Sequence, residues 1–338
     1  MSFLVQEAAY RLQKSPLIRM SGLIDWERLR KKMGDLGRSG YGPEAYDPLK
    51  MLKALILQGW HSLSDPGLEE ALRVRLDFMV ITELSEVPDE TTICRFRNLL
   101  IKQGLMDSLL SEVNRQLEVR GFKVKESQGA IIDATLISSA ARPRKELDAT
   151  PVDREESERV YETQRESFSK DPDATWLKKG KRSYFGYKGF MITDVEDGYI
   201  EHVHVTPAHV SEVRELAQIL PKTGFMRRLY ADKGYASQNN KGLLRSQGIK
   251  NGIMEKAKRN KPLTYWQRQF NRMISKLRYK VEQGFGTLKR KFRFERASYT
   301  TQTKVHTQMA FKAIAFNLLK ALNMAKHPMP TSLLPIMS

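Results

Sequence analysis

Residues 129–136 read Gly-Ala-Ile-Ile-Asp-Ala-Thr-Leu, and they decide how the chain folds. The run is short, apolar and rich in β-branched residues, which predicts a buried strand. It carries one acid, Asp133, directly after Ile131 and Ile132. A carboxylate inside an apolar strand is costly unless something pairs with it. Everything N-terminal to this strand has a different period, and everything after it mixes strands and helices.

Upstream, apolar residues recur at three- and four-residue spacing. Asp47-Pro48 opens a strong helical pattern through Leu49, Leu52, Leu55, Ile56 and Trp60. Ser64 or Asp65 starts the next helix, over 68–83, and Thr91 or Thr92 caps a short basic one containing Arg95, Arg97 and Asn98. A further helix over 105–121 ends at Gly121. Residues 1–121 therefore read as all-helical.

Downstream, residues 142–182 hold eleven basic and ten acidic residues with few apolar ones. They predict a solvated insertion, partly helical at 153–168. SYFGYKGFMITDVEDGYIEHVHVTP (183–207) reads as a hairpin turning at Glu196-Asp197-Gly198. A helix follows at 211–220, then a strand ending in Asp232, another strand at IKNGIME, a long basic helix over 265–291 and an apolar closing helix over 304–325. The order is helices first, then an α/β sheet with acids at strand ends.

The chain has 338 residues, 41% of them hydrophobic, and a net charge of +18. That is enough apolar material for a large core, so the positive charge belongs to a folded protein. Such an excess favours a polyanion as partner: nucleic acid first, an anionic membrane surface second. No apolar run approaches a bilayer span, and the first residues lack a signal-peptide pattern. A single cysteine, Cys94, excludes an intrachain disulfide and a cysteine-cluster zinc site. The expected location is cytoplasmic, in association with the nucleoid.

Three acids stand out: Asp133, Asp232 and Glu282. Brought together they would repel one another, and a divalent cation relieves that repulsion, because carboxylates and water are the ligands magnesium prefers. The plainer reading is open too. The chain has 39 acidic residues, and an acid at a strand end often serves as a turn residue or N-cap. On the long helix, Arg278 and Lys289 share a face with Glu282 at i−4 and i+7. That suits a metal ligand flanked by phosphate contacts; it equally suits a simple ion pair on a wet helix. Residues 256–296 hold fourteen Lys or Arg against two Glu, interleaved with aromatics. This charge would repel itself without a polyanion across it. Gly284 and Gly286 in this helix imply a kink or a close backbone approach.

YKVEQGFGTLKRKFRFERASY (279–299) resembles the C-terminal signature of DDE transposases of insertion sequence family five, which is related to family four. In that pattern the Glu is the third catalytic acid, which falls on Glu282. The related Y-x2-R-x3-E-x6-K pattern matches at Arg278, Glu282 and Lys289, with Ser275 at its Tyr position. IIDATLI resembles the first-acid strand and assigns Asp133; YADKGYAS resembles the second-acid motif and assigns Asp232. HVTPAHVSEV is similar to the T-x-A-N-x-H-D segment, with His209, Ser211 and Glu212 in place of Asn, His and Asp. RSYFGYKG places Lys188 as a DNA-facing base.

The resemblance implies an RNase-H-like mixed-sheet catalytic core at 122–325, with the charged insertion at about 142–182. An all-helical DNA-binding or dimerisation domain at 1–121 precedes it, and a loose tail at 326–338 follows. It implies Mg2+ or Mn2+ held by Asp133, Asp232 and Glu282. The expected activity is a transposase that binds the terminal inverted repeats of its element as a homodimer, hydrolyses phosphodiester bonds there and joins the freed 3′ hydroxyls to target DNA. The alternatives are a catalytically silent DNA-binding derivative and a nuclease of the same fold that never joins strands. Expected DNA contacts are Arg278, Lys289, Arg290, Lys291 and Lys188. Arg95, Arg97 and Asn98 join them if the helix from Thr91 is a recognition helix and not a packing helix, since Arg suits guanine and Asn suits adenine.

His202 and His204 alternate on one strand, so they share a face; a solvated face is expected over a metal site. Cys94 and Trp60 are expected as apolar filler and core.

Overall fold

The computed structural model describes residues 15–34, 46–125, 127–142, 170–224 and 226–326, with residues 10, 12 and 36 and the pairs 148–149 and 163–164. The expected helix within 153–168 lies mostly outside these, as does the tail from 327. Residues 163–164 form a two-residue strand with 148–149.

Seven helices come first: α1 (Pro16–Ser21), α2 (Trp26–Met33), α3 (Pro48–His61), α4 (Asp65–Val74), α5 (Leu76–Thr82), α6 (Glu90–Lys102) and α7 (Met106–Val119). Asp47 caps α3, its carboxylate accepting from the N–H groups of Leu49 and Lys50, with Pro48 in the first turn. The single helix expected over 68–83 is two, because Arg75 is extended and its guanidinium grips Asp77. Asp89, not a threonine, caps α6, accepting from the N–H of Thr92.

The sheet strands are β1 (Ala130–Ser138), β2 (Thr175–Lys179), β3 (Arg182–Asp194), β4 (Ile200–Pro207), β5 (Arg228–Ala231) and β6 (Lys250–Ile253). Their order is β4-β3-β1-β5-β6, with β2 extending the β4 edge along the first half of β3. β3 is antiparallel to β1 and β4, whereas β1, β5 and β6 run parallel. This is the RNase-H-like mixed sheet that the sequence implied. β2 was expected to be part of a solvated insertion; it pairs instead with β3.

Alternation along β1 separates two cores. Ala130 and Ile132 face Phe190, Ile192 and the helices α8 (Glu212–Ile219) and α9 (Gln238–Ser246). Ile131 and Ile137 face Met191 and the helices α10 (Tyr265–Arg290) and α11 (Gln302–Lys326). α11 is buried on nearly every side, from Val305 to Leu322. It lies against α3, α7 and β4, so it ties the N-terminal helices to the sheet. Asn317 is the polar joint: it donates to Asn114 at 2.7 Å and to the Ile200 carbonyl at 2.8 Å, and accepts from the Ile200 N–H at 2.9 Å. Each large apolar side chain buried here contributes about 2 kcal/mol.

The histidine pair departs from expectation. His202 and His204 do share a face, on the side of their partners Ile192 and Phe190, but it is covered: Glu215 of α8 lies 3.3 Å from His204. His202 is buried beside Asp107 of α7 (3.8 Å), and His306 of α11 lies 3.6 Å from the same carboxylate. Burial holds His202 and His204 down at about 4. Among the described residues no helix is long and apolar enough to cross a membrane.

Candidate active site

The register explains how two acids distant in sequence become neighbours. β5 pairs with β1 from Ala130↔Leu229 to Ile132↔Ala231. Asp133 and Asp232 are the next residues on each strand, and adjacent strands lie about 4.8 Å apart. β5 ends at that point and Asp232 caps a short 3-10 turn, its carboxylate accepting from the Lys233 N–H at 2.5 Å. β1 continues to Ser138, where Arg296 forms a parallel bridge; among the described residues its edge from Ala134 to Ile137 has no strand partner on that side and borders a groove.

α10 supplies the third acid. Its start is a capping box of Thr264 and Gln267, and it runs unbroken to Arg290. Gly284 does not kink it. A Cβ there would stand 2.8 Å from Met191 Cε, so the glycine allows close approach to β3.

The three carboxylates converge on one cation. The Arg278 guanidinium lies 2.8 Å from Asp133, 3.7 Å from Asp232 and 3.8 Å from Glu282. Burial opposes its charge, but the Asp133, Asp232 and Glu282 carboxylates outweigh that and raise its pKa. The Glu282 side chain is 61% exposed, against 15% for Asp133, so Glu282 is the freest member. Among the described residues no three acidic or histidine side chains sit tightly enough to enclose an ion as they stand. The donor set is all carboxylate oxygen, which fits magnesium or manganese and not a soft-ligand metal. The guanidinium marks where positive charge is wanted.

Two residues that the sequence left open or missed belong to this site. Glu212 reaches over from α8: a Cβ on Gly234 would stand 2.5 Å from its Oε2. A side chain in place of the glycine of Asp-Lys-Gly-Tyr (232–235) would have to displace that carboxylate. Tyr235 is buried with its hydroxyl unpartnered. Burial, then the charges of Glu212, Asp133 and Asp232, push that hydroxyl well above its ordinary pKa. The only hint of Glu212 was its place in the HVTPAHVSEV segment.

Beside β1 the groove has a volume of about 410 Å³ and is lined by Leu136, Tyr184, Lys188, Glu212 and Lys289 among others. Lys289 is half-buried there; burial lowers its pKa, Glu295 opposing and Lys179 adding to the effect. Lys188, expected as a DNA-facing base, stands in the wall of this groove. It is 8% exposed, donates to the Val210 carbonyl at 2.7 Å and stands 3.6 Å from Glu212. Arg278 likewise faces the acids and not the outer surface. Arg290 and Lys291 are exposed at the end of α10.

On α6, Arg95 and Asn98 are exposed. Arg97 is not: it is 2% exposed, ion-paired with Asp65 and stacked 4.2 Å over the Tyr299 ring. Its expected role in base reading is corrected, because a side chain enclosed by α4 and the segment before α11 cannot reach a groove of DNA. Trp60 is core, edge-on to Phe292, and Cys94 is half-buried with Asn98 at 3.7 Å from its sulfur.

Comparison with known proteins gives a consistent result. Residues 125–318 match the transposase DDE domain, and residues 5–99 match a second transposase domain family. The transposase for insertion sequence element IS1106 from Neisseria meningitidis serogroup B is 44% identical over 234 residues, covering 69% of this chain and 79% of that one. Among solved structures, a piggyBac transposase synaptic complex with hairpin DNA aligns with 90% of this chain and 72% of its own, at 11% identity and a TM-score of 0.43.

Proposed function

The chain belongs to the transposases that carry the DDE domain, and on that footing we propose that it cuts the ends of its insertion sequence and joins them to target DNA at Asp133, Asp232 and Glu282. The observation that carries this reading is the convergence of three acids, from β1, the end of β5 and α10, on the single guanidinium of Arg278.

Asp133, Asp232 and Glu282 would hold Mg2+ or Mn2+. When bound, such ions activate a water or 3′ hydroxyl and stabilise the leaving oxygen in an in-line displacement at phosphorus. The chain's own part is positioning and charge. The two strand-borne aspartates are held rigidly by the sheet. Glu282, exposed on α10, can adjust its carboxylate between the first cut and the later joining. Arg278 neutralises the acids before substrate arrives, and is placed to shift toward a phosphate once another cation takes over that task. Lys289 and the groove beside β1 accept the strand leaving the site, and Arg290 and Lys291 hold the duplex. Residues 1–121 hold the terminal repeats through Arg95 and Asn98 on α6 and pair two copies as a homodimer.

The test is cleavage of labelled DNA carrying the element's ends, with and without Mg2+. Asp232→Asn should abolish nicking while leaving binding intact. If Asp232→Asn cuts as well as the unmodified protein, the assignment is wrong. A strand-transfer product on supercoiled target DNA separates a transposase from a nuclease of the same fold.

A further inference from the structure

The connection from β6 into α10 is strongly basic. From Lys256 to Val281 there is no acidic residue. Lys258 and Lys261 close a tight turn, each N–H donating to the other's carbonyl at 3.2 and 3.0 Å, with Asn260 at φ 60° at its tip. Lys258, Arg259 and Lys261 are all exposed. Among the described residues none of them has a carboxylate within 4 Å. Such a concentration of unpaired cations is unfavourable unless a polyanion lies on it.

The turn is held in place. Asn271 of α10 accepts from the Glu255 N–H at 2.8 Å and donates to the Glu255 carbonyl at 2.9 Å. Lys241 of α9 pairs with the Glu255 carboxylate at 2.6 Å. The basic turn and the first turns of α10 are therefore one unit. Trp266 on this unit is 78% exposed, packed edge-on to Tyr265, which is 58% exposed. Two large aromatic side chains in water beside unpaired cations indicate a surface that is covered in use.

Helix geometry links this surface to the cut. At 100° per residue, Arg268 and Arg272 fall within about 80° of Glu282 on the same side of α10, whereas Trp266 falls about 160° from it, on the other side; both arginines are exposed. Glu282 lies fourteen residues beyond Arg268, or about 21 Å at 1.5 Å per residue. That length corresponds to roughly six base pairs of B-form DNA at 3.4 Å each.

We propose that the 258–261 turn, Arg268 and Arg272 form a second DNA-binding surface, which grips duplex about six base pairs away from the phosphate being cut. This rests on DNA being the substrate of the site described above. It adds a contact outside that site, and the length of DNA it needs is a direct consequence. Charge complementarity selects the occupant, because cations spaced along a helix and a rigid turn match a phosphate backbone.

The experiment compares two duplexes that share the same element end. One stops about four base pairs from the cut and the other about fifteen, on the side that α10 tracks; both sides are tried. The full-length chain and the Lys258→Ala/Arg259→Ala/Lys261→Ala variant are titrated with each over a range of salt. On the long duplex the triple variant should lower the log–log salt slope by up to about 2.7, at about 0.9 per phosphate contact. On the short duplex its slope should match the unmodified protein. Equal slopes on the long duplex, or an equal loss on both, overturn the proposal. Asp232→Asn is run in parallel. If that variant still nicks while the length dependence holds, the catalytic assignment fails and the second surface stands. If it is inactive and the length dependence is absent, the second surface alone fails.

Discussion

α6 and α10 look alike in sequence and do different work. α6 carries three basic residues in 13, and α10 carries seven in 26. Each has an acid, and each was expected to face DNA. In α6 the central base, Arg97, is enclosed and spent on Asp65 and the Tyr299 ring. In α10 the central base, Arg278, sits among three acids at the edge of a groove, and Arg268, Arg272, Arg290 and their neighbours stand in solvent. Charge density therefore does not distinguish a binding helix from a packing helix. What distinguishes them is whether the rest of the chain covers the charge and supplies it with a partner. Removing a buried partner strands the other charge, whereas removing an exposed base costs only its interaction with a ligand.

That contrast breaks most visibly through catalysis. Glu282→Gln on α10 should reduce metal-dependent nicking on the order of a thousandfold or more, with a thermal midpoint close to that of the unmodified chain. A comparable loss from Arg97→Ala in protein that remains folded would erase the distinction. Arg97→Ala should act on stability instead, by roughly 3–5 kcal/mol, because it leaves the Asp65 carboxylate without its buried partner. Urea unfolding measures this, and a shift under about 1 kcal/mol would mean that Arg97 is not the structural residue its burial indicates.

A gentler probe compares the exposed bases of the two helices. Lys289→Ala/Arg290→Ala/Lys291→Ala should lower the salt slope of DNA binding by up to about 2.7 irrespective of base sequence. Arg95→Ala/Asn98→Ala should instead narrow the preference for the element's ends over random duplex. Competition binding at several salt concentrations reads both effects.

The smallest effect concerns the covered face of β4. His202 and His204 are buried neutral, with burial lowering both to about 4. A histidine depressed on folding contributes stability above its unfolded pKa of about 6.5, and that stability is lost as pH falls toward 4. The urea midpoint should therefore decline between pH 6.5 and 4.5, and His202→Gln should flatten the decline. A midpoint equally pH-dependent in that variant would move the effect to other groups.

Much of this architecture was legible before any tertiary structure. A short apolar run rich in β-branched residues marked β1, and the turn at Glu196-Asp197-Gly198 marked the β3–β4 hairpin. Three- and four-residue spacing marked α3 and α7. Asp133 stood out because an acid in an apolar strand demands a partner, and Asp232 because it closes a strand before a glycine turn. The misreadings share one origin. The face bearing His202 and His204 reads as solvated until Asp107 of α7 and Glu215 of α8 are laid on it. Residues 175–179 read as part of a charged insertion until β3 offers them an edge.

Local periodicity and composition record which side of an element is apolar, so the chain alone determined most of the strands and helices and the three candidate acids. It holds no record of which distant segment lies opposite a given side chain. Only the packed fold decided that Arg278 sits among all three carboxylates, that Glu212 abuts the second acid motif and that Arg97 is sealed away. Burial and ion pairing are set by contacts between residues far apart along the chain, and these exist only once the sheet and α11 have closed on one another.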